Sequence, residues 1–233
     1  MRHIKENANT EGRLRARPPR VGEAPPVGLR RLGSDGARGS HLLYVPDAPG
    51  GLERPAPLAV VLHGAGGQAS AAMALLRPLA DATGMVLLAP TSHQYTWDII
   101  VGGYGPDVEA LDGLLEETFS RCWVDPARLA VGGFSDGASY ALSLGIDNGD
   151  LFSHVLAFSP GFMAPSGQVG VPRFFISHGT RDDVLPIGLC SRRIVPQLQR
   201  AGYDVTYREF EGGHTVPPEI AREAADRFTS GEG

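Results

Sequence analysis

Ser135 stands between two glycines, Gly133 and Gly137, in the segment GGFSDGAS. A strand-like run at residues 129–131 precedes this segment, and a helix-like run at residues 138–144 follows it. A serine in this setting is typical of a nucleophile elbow, a tight turn that presents the hydroxyl above the end of a strand. Glycines two residues to either side relieve the crowding that such a turn creates. The spacing therefore predicts a nucleophilic serine.

A serine hydroxyl needs a base to take its proton and a carboxylate to orient that base. His214, in EGGHTVPP, is the candidate base, and two adjacent carboxylates, Asp182 and Asp183, stand in HGTRDDVLP. Each of these loops follows a strand-like run, and open α/β sheets gather their ligands at the carboxyl ends of their strands. The order Ser, Asp, His along the chain is one that such triads use. The residues alone leave the choice between the two aspartates open.

Four motifs together resemble the α/β-hydrolase superfamily, and within it the phospholipase/carboxylesterase family of small serine esterases. The resemblance places the acid at Asp182 and leaves Asp183 as a solvated or loop-capping residue. It also implies that His63 and His178 brace loops by hydrogen bonding. The motifs are LHGAGG (residues 62–67), GFSDG (133–137), HGTRD (178–182) and GGH (212–214).

An oxyanion formed during acyl transfer needs backbone N–H groups aimed at it. The residue after the nucleophile supplies one of them in this fold, here Asp136. The resemblance places the other at Ala65, among glycines that allow close backbone approach; the alternative is that LHGAGG is only a flexible turn. We expect the Asp136 carboxylate to cap the first turn of the following helix, where the helix dipole favours negative charge.

The candidates for the substrate pocket are aromatic or apolar. Trp97, with Tyr95 and Tyr104 nearby, is a candidate pocket wall whose alternative is an ordinary packing anchor, and Phe162 and Met163 are candidates for one apolar side. The last two lie between residues 158 and 173, where many hydrolases of this fold insert a helical cap, yet only a short loop fits here. An open site favours esters or thioesters with small to medium acyl groups.

Strand-like and helix-like segments alternate along the chain, which predicts an α/β-hydrolase fold with a doubly wound, mostly parallel sheet and no large cap domain. Short runs at residues 13–17, 27–32 and 41–45 predict antiparallel strands at its amino-terminal edge. We expect a tail at residues 1–11 and a single domain at residues 12–230. The predicted parallel strands are residues 58–62, 85–89, 129–131, 154–158, 173–177 and 205–210, and the predicted helices are residues 69–83, 106–121, 136–146, 187–200 and 217–229.

A formal net charge of −5 over 233 residues argues against a nucleic-acid partner. Residues 2–31 are locally basic, which suggests either an interaction arm or the arginine bias of a GC-rich, bacterial genome. No apolar run approaches the roughly 20 residues of a membrane span, and no signal peptide is recognisable, so a cytoplasmic protein is expected. Cys122 and Cys190 suggest neither a disulfide framework nor a metal site. We expect no cofactor; the oligomeric state stays open, with a homodimer as one option.

Together these features predict a cofactor-independent serine carboxylesterase that acts on a small-molecule ester through an acyl-enzyme on Ser135. An acyl thioesterase or a phospholipase-type acyl hydrolase would use the same residues. A non-catalytic binding protein that kept the fold is the alternative from another class, and its signature would be a broken triad.

Overall fold

The strand-like runs form one eight-stranded sheet in the computed structural model, which describes residues 11–20, 25–36, 39–47 and 54–230. The predicted tail at residues 1–11 lies outside these ranges except for its last residue. The strands are β1 (Gly28–Gly36), β2 (Gly39–Val45), β3 (Ala56–Leu62), β4 (Val86–Ala89), β5 (Val124–Phe134), β6 (His154–Phe158), β7 (Arg173–Gly179) and β8 (Val205–Phe210).

Helices alternate with the strands as predicted. They are α1 (Ala69–Thr83), α2 (Asp98–Val101), α3 (Pro106–Arg121), α4 (Asp136–Asp147), α5 (Ser191–Arg200) and α6 (Pro218–Thr229). Helix α5 begins four residues later than expected, because residues 187–190 form turns instead of a helix. The single-turn helix α2 was not predicted. In the described part of the chain, no helix is both long and apolar enough to cross a bilayer.

The sheet has the order β1-β2-β4-β3-β5-β6-β7-β8. Strands β3 to β8 run parallel, whereas β2 pairs antiparallel with both β1 and β4. The predicted doubly wound, mostly parallel sheet with an antiparallel amino-terminal edge is therefore confirmed. Because strands β3 to β8 are parallel, the loops that carry the predicted site residues all emerge at the same edge of the sheet.

The sheet is buried on both faces, which explains the continuous apolar runs of its central strands. Every residue of β3 is buried, for example. One face packs against α1 and α6, with Met73 and Phe228 in that core. The other packs against α3, α4 and α5, with Leu115, Tyr140 and Ile194.

The predicted strand at residues 13–17 is wrong, because this segment forms no strand. Alternate residues of the segment do face the core, since Leu14 and Ala16 are buried. Its backbone N–H groups, however, donate to side chains and not to a neighbouring strand. The N–H of Leu14 donates to Asn148 Oδ1 at 2.8 Å, and the N–H of Ala16 donates to Asp112 Oδ1 at 2.9 Å. An alternating pattern cannot distinguish these two kinds of partner.

Two arginines of this segment form ion pairs within the molecule. Arg13 and Arg17 both pair with Asp150, at 2.9 and 2.6 Å. These ion pairs hold the segment on the turn that follows α4. Two of the arginines that had suggested an interaction arm are thus engaged within the molecule.

Candidate active site

Ser135 lies between the end of β5 and the start of α4, with φ 58° and ψ −121°. This conformation is uncommon for a residue with a side chain and stores backbone strain at the turn. The glycines on either side permit the turn to press against β3. A Cβ on Gly133 would lie 2.6 Å from the carbonyl oxygen of Leu62, and a Cβ on Gly137 would clash with that same oxygen. The close approach of the elbow to β3 therefore requires both glycines.

His214 and Asp182 meet Ser135 above the carboxyl ends of the strands. The distance from His214 Nε2 to Ser135 Oγ is 2.9 Å, and that from His214 Nδ1 to Asp182 Oδ2 is 2.6 Å. An imidazole protonated at Nδ1 donates to the carboxylate and accepts the serine hydroxyl at Nε2. The ring of Phe134 packs 4.6 Å from the imidazole, so one side of the base is apolar.

Asp182 has a fully buried side chain and receives several N–H donors. The amides of Val184 and Leu185 donate to its Oδ1 at 3.0 and 2.8 Å. Burial alone would raise the pKa of Asp182, but the bond from Leu185 and the proximity of His214 outweigh it and lower the pKa. Asp182 therefore remains a carboxylate. Asp183 is exposed.

His178 and His63 form hydrogen bonds within the loops, as the resemblance implied. The fully buried His178 lies 2.7 Å from Ser191 Oγ through Nδ1 and donates Nε2–H to the carbonyl of Leu185 at 2.7 Å. Its Nε2 is also 3.2 Å from Asp182 Oδ2. Burial lowers the pKa of His178 although the Leu185 carbonyl and Asp182 oppose this, so the ring is neutral.

His63, directly after β3, bonds two of the loops beside the site. Its Nε2 accepts the N–H of Ser92 at 3.0 Å, and its Nδ1 lies 2.7 Å from the carbonyl oxygen of Gly64. These bonds tie the loop after β3 to the loop after β4. The imidazole therefore fixes the start of the loop that carries Ala65.

The loop after β3 runs beside the predicted nucleophile. A Cβ on Gly64 would lie 3.3 Å from the Cβ of Ser135, and the N–H of Gly66 donates to the carbonyl of Tyr95 at 2.8 Å. Among the described residues, the backbone N–H groups of Ala65 and Asp136 have no acceptor. An oxyanion site requires unpaired backbone donors of this kind beside the nucleophile.

The Asp136 carboxylate does not cap α4 as expected. Its Oδ2 accepts the hydroxyl of Thr96 at 2.6 Å. Ser135, the N-cap residue of α4, makes no side-chain cap bond either. The Asp136 side chain thus reaches across to the loop after β4 instead of folding back onto its own helix. This contact links the elbow to that loop.

Trp97 is buried and contributes no surface to the cleft. Its contacts are those of a packing residue, which was the alternative to a pocket wall. It is 1% exposed, its Nε1–H donates to the carbonyl of His63 at 2.8 Å, and its ring stacks on Tyr140 at 5.1 Å. Tyr104 is also buried, whereas Tyr95 is 69% exposed beside Gly66. An aromatic residue in a loop sequence gives no sign of which way it faces.

Phe162 and Met163 lie half-buried on the connection between β6 and β7. Residues 159–172 form no helix, and this connection descends along α4. Three polar side chains of α4, one per turn, bond its backbone. Ser139 Oγ accepts the amides of Gly161 (2.9 Å) and Phe162 (3.4 Å), Ser143 Oγ accepts that of Ala164 (3.0 Å), and the Asp147 carboxylate accepts those of Ser166 (3.1 Å) and Gly167 (2.7 Å).

Sequence reasoning missed this polar row. Ser135, the N-cap residue of α4, is followed at every fourth position by Ser139, Ser143 and Asp147, in a helix whose other residues are mostly apolar. Polar residues spaced by four share one face of a helix. All four are buried, with exposures of 9, 1, 0 and 1%. The spacing was the available signal, because buried polar side chains need hydrogen-bond partners.

The described residues include no group of three or more His, Cys, Asp or Glu side chains placed to hold a metal ion. Cys122 and Cys190 are buried free thiols, and burial raises the pKa of Cys122 to about 11. Neither thiol belongs to the cluster around Ser135. The groups available for chemistry in that cluster are a hydroxyl, an imidazole, a carboxylate and two backbone donors.

Comparison with known proteins gives a family and a fold. The family model described as Phospholipase/Carboxylesterase matches residues 106–229, more than half of the chain. A search of the curated proteins finds no match. The matched region contains Ser135, Asp182 and His214, whereas Ala65 lies outside it.

Solved structures share the fold over most of the chain at low sequence identity. Esterase PE8 has a TM-score of 0.63 and 23% identity, over 90% of this chain and 99% of its own. The fluorophosphonate-binding serine hydrolase FphF of Staphylococcus aureus gives 0.66 and 12%, over 88% and 98%. A phospholipase/carboxylesterase from Dyadobacter fermentans gives 0.62 and 21%, over 80% and 95%. These likenesses establish the α/β-hydrolase fold.

Proposed function

The chain belongs to the phospholipase/carboxylesterase family of serine hydrolases, and from this premise we propose that it is a carboxylesterase acting through an acyl-enzyme on Ser135. The observation that carries the proposal is the continuous hydrogen-bond chain from Ser135 Oγ through His214 to Asp182, with distances of 2.9 and 2.6 Å. Neither contact follows from the motifs alone, since the three residues stand on separate loops.

In the proposed first step, Ser135 Oγ attacks the acyl carbon of the ester while His214 Nε2 takes the hydroxyl proton. The charged Asp182 stabilises the imidazolium that forms, and the Nδ1 proton stays on the ring of His214. Because the side chain of Asp182 is fully buried, water screens this interaction little. The strained backbone at Ser135 holds the hydroxyl in the position that attack requires.

The tetrahedral intermediate carries its negative charge on the former carbonyl oxygen. We assign the N–H groups of Ala65 and Asp136 as its donors, because both are unpaired and the Ala65 loop passes beside Ser135. Collapse of the intermediate breaks the bond to the alcohol, which leaves with the proton from His214. Water then attacks the acyl-enzyme with His214 again as the base, and this step releases the acid.

The surroundings of the serine support one class of substrate. The short connection at residues 159–172 leaves the site without a cap, and the exposed Tyr95 stands beside the Ala65 loop. This arrangement supports esters with small to medium acyl groups. A thioesterase or a phospholipase-type acyl hydrolase would use the same triad, and its substrate would differ from these esters in the leaving group, the acyl group or both.

The test is hydrolysis of p-nitrophenyl esters from acetate to palmitate by the wild type, Ser135→Ala and His214→Ala. We expect both variants to lose at least about 10³-fold in kcat/KM while they remain folded. A butyryl thioester assayed beside p-nitrophenyl butyrate compares the two leaving groups. A fluorophosphonate probe should label the wild type at Ser135.

The proposal fails if the wild type and Ser135→Ala are equally inert on every ester and the probe leaves Ser135 unlabelled. A binding protein with the hydrolase fold would then be the better description. Activity that persists in Ser135→Ala would instead place the nucleophile elsewhere.

A further inference from the structure

We propose that Ser139 determines acyl-group specificity by holding Phe162 in place as a fixed wall of the acyl pocket. This inference rests on the proposed function and extends it to a residue that does not itself touch the reacting atoms. Ser139 lies one helical turn after Ser135, and its Oγ accepts the amides of both Gly161 and Phe162. The segment with Phe162 is thereby fixed to the helix that begins at the nucleophile.

The Ser139 side chain is buried, and its bonds to the amides of Gly161 and Phe162 are partly buried. Its side chain is 1% exposed, and its hydroxyl completes its bonding by donating to the carbonyl of Ser135 at 3.3 Å. A Cβ on Gly161 would lie 3.5 Å from this hydroxyl and 3.4 Å from the side chain of Leu185, so the segment also packs close to Leu185. Without the hydroxyl, two partly buried amides would lose their acceptor.

Ser143 bonds the same connection one turn farther from the nucleophile. Its Oγ accepts the amide of Ala164 at 3.0 Å and donates to the carbonyl of Ser139 at 3.0 Å. The two serines are matched in residue type, helix face and burial, and they differ in which part of the connection they hold. Ser143 therefore separates a local effect on Phe162 from a general loss of stability.

The consequence concerns substrate choice. Where a helical cap is inserted, the pocket wall can move with the cap, but here it is a short segment bonded to the core of the fold. A fixed wall rejects acyl groups that exceed its space, and a wall released from its tether accepts them. Each methylene accepted or rejected by an apolar pocket changes kcat/KM by about tenfold or more.

The experiment compares Ser139→Ala, Ser143→Ala and Phe162→Ala with the wild type on p-nitrophenyl acetate, butyrate and octanoate. We expect Ser139→Ala and Phe162→Ala each to raise the ratio of kcat/KM for octanoate over acetate by about tenfold. Ser143→Ala should leave this ratio within about twofold of wild type, while its thermal stability falls as much as that of Ser139→Ala. The double variant Ser139→Ala/Phe162→Ala should add little to either single change, because both act on one wall.

Hydrogen exchange gives a readout that does not depend on turnover. The amides of Gly161 and Phe162 should be protected in the wild type and in Ser143→Ala, and should exchange faster in Ser139→Ala. An unchanged acyl profile in Ser139→Ala, or a ratio that shifts equally in Ser143→Ala, overturns the inference while the proposed function stands. If Ser139→Ala does not fold, an unchanged profile in Phe162→Ala overturns it. Inactivity of the wild type on every ester would reject the proposed function, and unprotected Gly161 and Phe162 amides would then reject the tether as well.

Discussion

At the carboxyl end of the sheet, loops are held by buried polar side chains that bond backbone amides, whereas at the amino end partly exposed ion pairs are added to bonds of that kind. Asp182 and Ser139 represent the first kind, with exposures of 6 and 1%. The pair of Arg13 with Asp150 represents the second, with both side chains more than a third exposed.

The difference reflects what each end must do. A buried polar group that loses its partner costs more than an exposed ion pair that opens to water. Loops held by buried bonds therefore stay in one conformation, which a catalytic cluster requires. At the amino end a connection needs only to return the chain to the next strand. Substitutions at the carboxyl end should consequently impair activity, and those at the amino end should affect stability alone.

The largest expected effect separates the two adjacent aspartates. Asp182→Asn should lower kcat by about 10⁴-fold, because an amide no longer holds His214 in the tautomer that accepts the serine proton. Asp183→Asn, which changes an exposed side chain in the same loop, is the matched control and should retain activity within about twofold. Steady-state kinetics on p-nitrophenyl butyrate measures both. Equal losses in the two variants would contradict the assignment of Asp182.

The second prediction concerns the elbow. Gly137→Ala places a methyl group against the Leu62 carbonyl, so we expect a loss of about 1–3 kcal/mol in unfolding free energy together with loss of activity. Gly113→Ala is the control, because it lies exposed in α3 with nothing within 4 Å of the new atom. That change should stabilise by about 0.5–1 kcal/mol and leave activity intact. Urea denaturation would reveal an error if both variants behaved alike.

The third prediction concerns the pH dependence of stability at the amino end. His154 begins β6 with its ring 5.3 Å from that of Phe228, and burial together with the charge of Arg173 lowers its pKa to about 4, opposed by Asp204. Between an unfolded value of about 6.5 and that pKa, the unfolded chain binds a proton that the folded chain does not. Stability therefore falls as the pH falls through this window.

The loss of stability between pH 6.5 and 4.5, measured by urea denaturation at both values, should be smaller in His154→Gln than in the wild type by about 1–2 kcal/mol. The kcat/KM of this variant at pH 7 should match wild type, because this residue lies at the opposite end of the sheet from Ser135. An unaltered pH dependence in this variant would exclude His154 as its source.

The smallest expected effect is at the segment before β1. The hydrogen bond from Arg13 keeps the pKa of Asp150 below its ordinary value although partial burial opposes this. Its stabilisation is thus present above the ordinary aspartate pKa and is lost as the pH falls through the lowered value. Asp150→Asn should cost under about 1 kcal/mol at pH 7 and low salt, and less in high salt. A cost that salt leaves unchanged would show that the interaction is not mainly ionic.

Prediction from the sequence was most successful where the signal was local. The buried strands are continuous apolar runs, and the strand at residues 154–158 and the helix at 69–83 begin and end where their patterns do. Prediction failed where the same sequence pattern is compatible with two different structural environments. Residues 13–17 alternate as a strand would, yet side chains bond their backbone, and Trp97 occupies a loop sequence although it is buried.

The sequence by itself determined the alternation of strands and helices, the turn that requires Gly133 and Gly137, and the candidates for nucleophile and base. These features depend on neighbours a few residues away, where periodicity and backbone sterics act. Only the tertiary structure decided which aspartate reaches His214, where the Asp136 carboxylate binds, and which serines hold the connection after β6. Those outcomes depend on contacts between residues far apart in the chain, such as Leu14 and Asn148, which are separated by 134 positions. No local pattern encodes a distance across the sheet.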